Sequence, residues 1–429
     1  MRNALLAAIL TLACVTPLRA QERAAQSLSL DQAIVTAVSQ NPSYRESLVA
    51  VDAGVGRVRA ARASLGPSVT LSDAYQYQDT VAKLPTPFGP LPFSPNSTNI
   101  PLLGASYTLF DGGAGAARLA AASASLSSTQ ASARQARAGL ISQVSSAYYD
   151  LVAAIQNSAV AERGVDVAQA HVELAMLRLR AGQIPRAELL QAQTDLADRR
   201  VGAIAARNDV ELDQNRLDAT MNVPLGTVYA PTDGLGGEIP AVDLQRLIAT
   251  AKTQRGDLAA ARLAVEAAER AVGAARAQRS PSVALSASEG NVQPVVTTGY
   301  HSQFTVGLDA VWKLFDDGYT DGRVAEARAA VSQAQLEVER LQVQAELEVR
   351  QAYLALDAAR EQVEASKQLV VLAGENRRLA EIRYRGGVGT ALELRDAELR
   401  DDAARQSVVD AERSLMESVV SLRFAAGLI

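Results

Sequence analysis

The chain runs to 429 residues with a formal net charge of −5 and a pI near 5.4, a balance that argues against a nucleic-acid partner. It holds one cysteine and two histidines, so disulfide frameworks, thiol nucleophiles and Cys/His metal sites have almost nothing to draw on. Past its first residues no apolar run approaches the ~20 residues that a membrane helix needs, so any spanning falls to strands.

Arg2 precedes an apolar run from Ala4 to Ala13, and Leu18-Arg19-Ala20 is an acceptable cleavage site, so residues 1–20 read as a secretory signal peptide. Cys14 is alternatively a lipid acceptor, although Thr11-Leu12-Ala13 fits that signal poorly. A short helix is expected over Leu30 to Gln40, interrupted at Asn41-Pro42, and a second from about Ser43 to Leu65, stopped by Gly66-Pro67. Val69, Leu71, Tyr75 and Tyr77 then alternate with small or polar residues, broken only by Asp73, which predicts a strand. Six prolines between Lys83 and Pro101 predict a loop, and Leu103 to Phe110 alternates again as the partner strand. Leu109-Phe110-Asp111-Gly112-Gly113 follows, with Asp111 an N-cap candidate and two glycines permitting a sharp change of direction. A long helix to Ala181, a turn at Gly182 to Pro185 and a return helix to Met221 complete residues 21–222, with strand hairpin 68–110 and helical hairpin 113–222.

Residues 223–242 are rich in Gly and Pro and form a connector, after which the scheme repeats. Leu314-Phe315-Asp316-Asp317-Gly318 echoes the first motif 205 positions later, from Phe110 to Phe315, and Arg178, Arg180 and Glu188 fall on Arg383, Arg385 and Glu393 at that spacing. Upstream of the motif the offset is 214, from Pro67 to Pro281. The chain is therefore a tandem duplication, whose second repeat is 243–429 with strand hairpin 282–315 and helical hairpin 319–426. No proline interrupts Tyr319 to Gly386, a helix of about 100 Å at 1.5 Å per residue. The shorter helices, placed end to end, nearly match that length.

Of 18 aromatic residues, 11 fall within 67–110 and 281–319, so these hairpins meet a different solvent from the rest. One apolar face and one small polar face suit a membrane barrel with an aqueous lumen. On this reading Val69, Leu71, Tyr75, Leu285, Phe304 and Val306 face lipid, while Thr70, Ser72, Ser106, Ser286 and Thr305 line water. Four strands cannot close a barrel and an open edge in lipid is prohibitively costly, so several copies must close it together, and three would supply twelve strands.

Neither His171 nor His301 has a second histidine or a cysteine at ligand spacing, and Gly54-Val55-Gly56 lacks the third glycine of a dinucleotide fingerprint. No enzyme, metal or cofactor is expected.

The duplicated helix–strand–loop–strand–helix halves, the Leu-Phe-Asp-Gly-Gly motif and the second turn, Arg383-Tyr384-Arg385-Gly386-Gly387-Val388-Gly389-Thr390, together resemble the TolC family of outer-membrane efflux proteins. The resemblance implies a mainly α fold with a membrane β-barrel: a homotrimer whose twelve-stranded outer-membrane barrel, four strands per chain, joins a long periplasmic α-helical barrel. It implies a passive exit duct of a tripartite efflux or type I secretion system, fed by a periplasmic adaptor and an inner-membrane transporter. The alternative is a periplasmic coiled-coil scaffold or adaptor. Carried over residue by residue, Glu393 and Asp396 would form the pore constriction. Glu188 and Tyr384 would latch the tips, and Arg383, Arg385, Gly387, Val388, Gly389 and Thr390 would meet the adaptor. Phe110, Asp111, Gly112, Gly113, Phe315, Asp316 and Gly318 would mark the strand-to-helix junctions. Arg395 departs from the usual apolar residue and is expected to point toward the neighbouring helix. The first turn lacks the Val-Gly-Thr of the second.

Overall fold

Each half takes the same course in a computed structural model that describes residues 26–80, 83–92, 96–236, 243–292 and 301–429. The first half runs β1 (Gln26–Leu28), α1 (Leu30–Gln40), α2 (Pro42–Ala63), β2 (Ser68–Tyr77), β3 (Lys83–Leu84), β4 (Leu91–Pro92), β5 (Ser97–Phe110), α3 (Ala114–Arg180) and α4 (Arg186–Met221). After β6 (Tyr229–Pro231), the second half runs α5 (Leu244–Gln254), α6 (Gly256–Ala277), β7 (Ser282–Val292), β8 (His301–Val311), α7 (Tyr319–Arg385) and α8 (Ala391–Ala425). Both long helices have 67 residues, and each return helix is about half that, at 36 and 35. The signal segment and Cys14 lie outside the described residues.

Local sequence explains the punctuation. Ser29 and Gln32 close a capping box on α1. The break expected at Asn41-Pro42 is a shared cap, because Asn41 ends α1 and accepts from Tyr44 N at 3.2 Å to start α2. Pro42 belongs to α2 rather than to the break, since its missing N–H costs nothing in the first turn. At the matching place in the second half Arg255 both ends α5 and starts α6, buried between Asp257 at 2.7 Å and Glu348 at 2.5 Å.

The four long strands form one antiparallel sheet in the order β2-β5-β7-β8. Directly opposed residues share a face. The pairings Val69–Ala105–Ala287–Val306 and Leu71–Leu103–Glu289–Phe304 therefore lie on one face, and Thr70–Gly104–Ser288–Thr305 on the other. The polar face is cross-linked by Ser68 Oγ to Ser106 Oγ at 2.7 Å, and Ser286 Oγ donates to Asp309 Oδ2 at 2.9 Å. Asp73 and Glu289 interrupt the apolar face, and Glu289 accepts from Ser302 Oγ at 2.9 Å.

The expected loop from Lys83 to Pro101 needs correction. A small hairpin of β3 and β4 occupies part of it, and β5 begins at Ser97, with Pro101 inside the strand opposite Asp73. Pairing of β5 with β7 begins only at Leu102, so Pro101 has a neighbour on one side and its missing N–H is tolerated.

Midway along the long helices the side chains form two cores that repeat the duplication. Val144, Leu151 and Leu217 in the first correspond to Val349, Leu356 and Leu422 in the second. The first core is closed by a parallel pair that the sequence reading did not include, β1 on β6. Tyr148 Oη donates to Leu28 O at 3.0 Å and accepts from Asp233 N at 3.1 Å. Tyr229 Oη donates to Asp218 Oδ1 at 2.7 Å, and burial beside that carboxylate pushes its phenol up to about 12. Among the described residues no helix is long and apolar enough to cross a membrane.

Candidate functional site

The strand-to-helix junctions are built by the two aspartates, though not as N-caps. Gly113 and Gly318 take that position in the left-handed region, at φ 87° and 83°, and offer no side chain. Asp111 reaches over the turn instead, accepting from Gly113 N at 3.0 Å and Gly115 N at 2.6 Å. Asp316 accepts from Thr320 N at 3.0 Å and from the Thr320 hydroxyl, which holds its carboxyl below the usual range. Gly112 is obligatory twice over, because its φ is 67° and an added Cβ would overlap Ser280 Cβ of the second repeat. Phe110 and Phe315 stand exposed beside these turns.

At the far end the two helical hairpins turn with one geometry. Gln183 N donates to Arg178 O at 2.9 Å around Gly182, and Val388 N donates to Arg383 O at 3.0 Å around Gly387. Both glycines are left-handed, at φ 71° and 74°, closing a Schellman-type end. Gly389 packs tightly, since an added Cβ would lie 2.9 Å from Tyr384 N, while Val388 projects into open space. Arg385 pairs with Glu381 at 2.5 Å.

The next helical starts differ. Thr390 caps α8, accepting from Glu393 N at 3.1 Å, and Thr390 N donates back to Glu393 Oε2 at 3.4 Å. Arg383 also stands 3.6 Å from Glu393 Oε2. In the first hairpin Pro185 replaces Thr390; it has no side-chain oxygen to accept from the α4 start and no N–H to donate back to Glu188, so α4 has no side-chain cap. Glu188, the counterpart of Glu393, instead lines a cavity of about 720 Å³ between the hairpins together with Tyr384. Among the described residues Glu188 and Tyr384 share no hydrogen bond. The Tyr384 ring lies under the Arg178 guanidinium, 4.8 Å from its centroid.

Charged pairs stitch the first hairpin to α8 around that cavity. Arg395 does turn to the neighbouring helix, meeting Asp195 at 2.9 Å, while Asp396 pairs along its own helix with Arg400 at 2.8 Å. His171 Nε2 lies 2.7 Å from Glu398 Oε1, and Arg199 pairs with Asp402. The hydrogen bond to Glu398 raises the His171 pKa, against the opposing pull of burial. Nearer the middle, Arg413 bridges Asp150 at 2.7 Å and Glu417 at 3.1 Å, and burial with the Asp150 hydrogen bond pushes Glu417 up to about 7. None of these cross-hairpin partners was readable from spacing. Arg395 alone carried a signal, as a cation where an apolar residue was expected.

Two duplicated halves, four strands with one apolar face and paired long helical hairpins define a strand-and-helix architecture of the outer-membrane channel class. The model of the family described as outer membrane efflux protein matches residues 33–223 and 247–428, and the chain belongs to that family. It is 28% identical over 407 residues to protein CyaE of Bordetella pertussis, covering 93% of this chain and 84% of that protein. It is 24% identical over 417 residues to the outer membrane efflux protein BepC of Brucella suis, covering 94% and 86%. The solved outer membrane protein VceC of Vibrio cholerae superposes with a TM-score of 0.78 at 23% identity, covering 93% of this chain and 96% of that one. Membership in this family removes the scaffold and adaptor alternatives and places the chain in the outer membrane.

Proposed function

We propose that three copies of this chain close a twelve-stranded barrel and form the passive exit duct of a tripartite efflux or type I secretion system, joined to an inner-membrane transporter through a periplasmic adaptor. The observation that carries the reading is the four-stranded sheet, apolar on one face and hydroxyl-rich on the other, with β2 and β8 each left with one free edge. Free edges do not persist in lipid. In this reading residues 1–20 are a removed signal and 21–222 and 243–429 are the two repeats joined by 223–242. Arg383, Arg385, Gly387, Val388, Gly389 and Thr390 present the second tip to the adaptor, and the chain performs no catalysis.

Glu393 and Asp396 lie three residues apart on one helix and hence on neighbouring points of its surface. Three-fold repetition would stack their carboxylates in rings that favour cations over anions. Arg383 and Arg400 lie beside them and temper that field. Glu188, without a cap to serve, remains available to accept from Tyr384 when the tips close. In planar bilayers the purified protein should conduct and prefer cations. Glu393→Ala with Asp396→Ala should lower that preference, and Tyr384→Phe should raise resting conductance. A protein that forms no conducting pore contradicts the duct. Unaltered selectivity places the constriction elsewhere, and unaltered resting conductance removes the latch.

A further inference from the structure

The cavity between the two hairpins has a floor of small residues and two unlike walls. On α3 the floor is Gly164, Ala168 and Ala175, which span ~16 Å of helix. A Cβ added to Gly164 would lie 2.9 Å from Arg199 Nη1, so the bare floor also makes room for the Arg199–Asp402 pair. The α8 wall is apolar, with Leu394 buried and Leu392 and Leu399 71% and 45% exposed. The α4 wall is polar, because Glu188, Gln191, Asp195 and Asp198 recur at alternating steps of three and four residues and so share one face.

The acids of this cavity are unequally matched. Asp195 is paired with Arg395, and Glu398 with His171. Glu188 and Asp198 have no ion pair or side-chain hydrogen bond among the described residues, although Glu188 is half-buried. Pro185 is the cause at Glu188. In the second repeat the same carboxylate, Glu393, is held by the Thr390 cap and stands beside Arg383, and the place of Asp198 is taken by Ala403. The first repeat therefore keeps an unused carboxylate facing a wall of leucines.

We propose that this cavity binds a small amphiphilic organic cation, with its apolar body against Leu392, Leu394 and Leu399 and its ammonium on Glu188. A volume of about 720 Å³ suits a drug-sized molecule. The lining acids Glu188, Asp195, Asp198 and Glu398 outnumber Arg199 and Arg395, so an anion is disfavoured. A neutral apolar molecule would strip water from Glu188 and return no partner. A metal ion gains nothing from leucines, and among the described residues no group of acids or histidines is arranged to hold one. The site lies within one chain and goes beyond the duct reading.

Dansylcadaverine, a fluorescent aromatic sulfonamide with a terminal primary amine, is a suitable probe, and its N-acetyl derivative keeps the apolar body without the charge. Anisotropy titrations of the intact protein in lipid nanodiscs, with empty nanodiscs subtracted, should show saturable binding of the amine. The N-acetyl compound should bind at least about tenfold more weakly, the factor expected of one charged hydrogen bond. Glu188→Gln should weaken the amine by a similar factor and leave the N-acetyl compound unchanged. Pro185→Thr keeps the carboxylate but supplies the hydroxyl and N–H of a capping box, so it should draw Glu188 to the α4 start and weaken amine binding too. Ala187→Trp should fill the cavity from its edge and block the amine. Absence of saturable binding, equal affinity for the two probes, or an amine affinity untouched by Glu188→Gln or Ala187→Trp overturns the proposal. Binding that is lost in Glu188→Gln yet intact in Pro185→Thr overturns the role given to Pro185. Conductance of the unliganded protein in planar bilayers is read separately, so failure of this site leaves the duct standing.

Discussion

The two repeats agree closely where they meet the sheet and diverge where their hairpins turn. Leu71 and Leu285 occupy the same place on the apolar face, as Ser72 and Ser286 do on the polar one. At the tips the backbone is conserved between repeats, with Gly182 and Gly387 closing the same turn, but the chemistry is not. Thr390 engages Glu393 in a capping box, and Pro185 leaves Glu188 without one. The difference teaches that duplication preserved what the bilayer demands of both halves and released the tips to take separate roles.

The largest effects should come where the repeats are equivalent. Leu71→Arg and Leu285→Arg should each cost ~2–4 kcal/mol, and Ser72→Arg and Ser286→Arg far less. Recovery of assembled protein from the outer membrane measures this. Loss in one repeat only, or equal loss on both faces, breaks the equivalence.

A smaller effect should separate the tips. Thr390→Ala removes a side-chain cap worth ~1 kcal/mol, so amide exchange should quicken in the first turn of α8. Pro185→Ala removes no side-chain hydrogen bond and should change exchange in α4 by no more than a few tenths of a kcal/mol. Equal responses would mean that the capping box contributes nothing to the divergence.

Much of the frame was legible because it is written in periods and punctuation. Alternation marked the strand faces, proline-free stretches marked the long helices, and the Phe110 and Phe315 motifs marked the junctions. The three-residue strands β1 and β6 carry no period, so their pairing emerges only once Tyr148 and Asp233 bring them together. Asp111 was recognised as a capping residue but placed two positions too late, because its carboxylate spans Gly112 and Gly113 rather than standing at the helix start. The ion pairs around the tip cavity join residues about 200 positions apart, where spacing carries no information.

The smallest effect is the pH dependence of one such pair. Glu398 raises the His171 pKa above its ordinary 6.5, with Glu381 adding to the shift and Arg385 and burial opposing it. A raised folded-state pKa means that the tie is fully present below the unfolded value and is lost as pH rises through the folded one. Protease resistance of the tips should therefore fall as pH rises above the ordinary imidazole value of 6.5, and His171→Gln should flatten that change. At the offset of 205 positions Asn376 of the second repeat stands for His171 and Gln193 of the first repeat stands for Glu398, and neither can titrate, so the tie belongs to one seam only. A fall that persists in His171→Gln assigns the pH response to other groups.

The central claim is that this chain supplies a third of a closed wall, and the direct measurement is the native mass of the particle extracted intact from the outer membrane. Three chains per particle, resistant to dissociation until heated, is the result expected of four strands per copy closing a twelve-stranded barrel. A particle of one or two chains would leave strand edges open in lipid and contradicts the account.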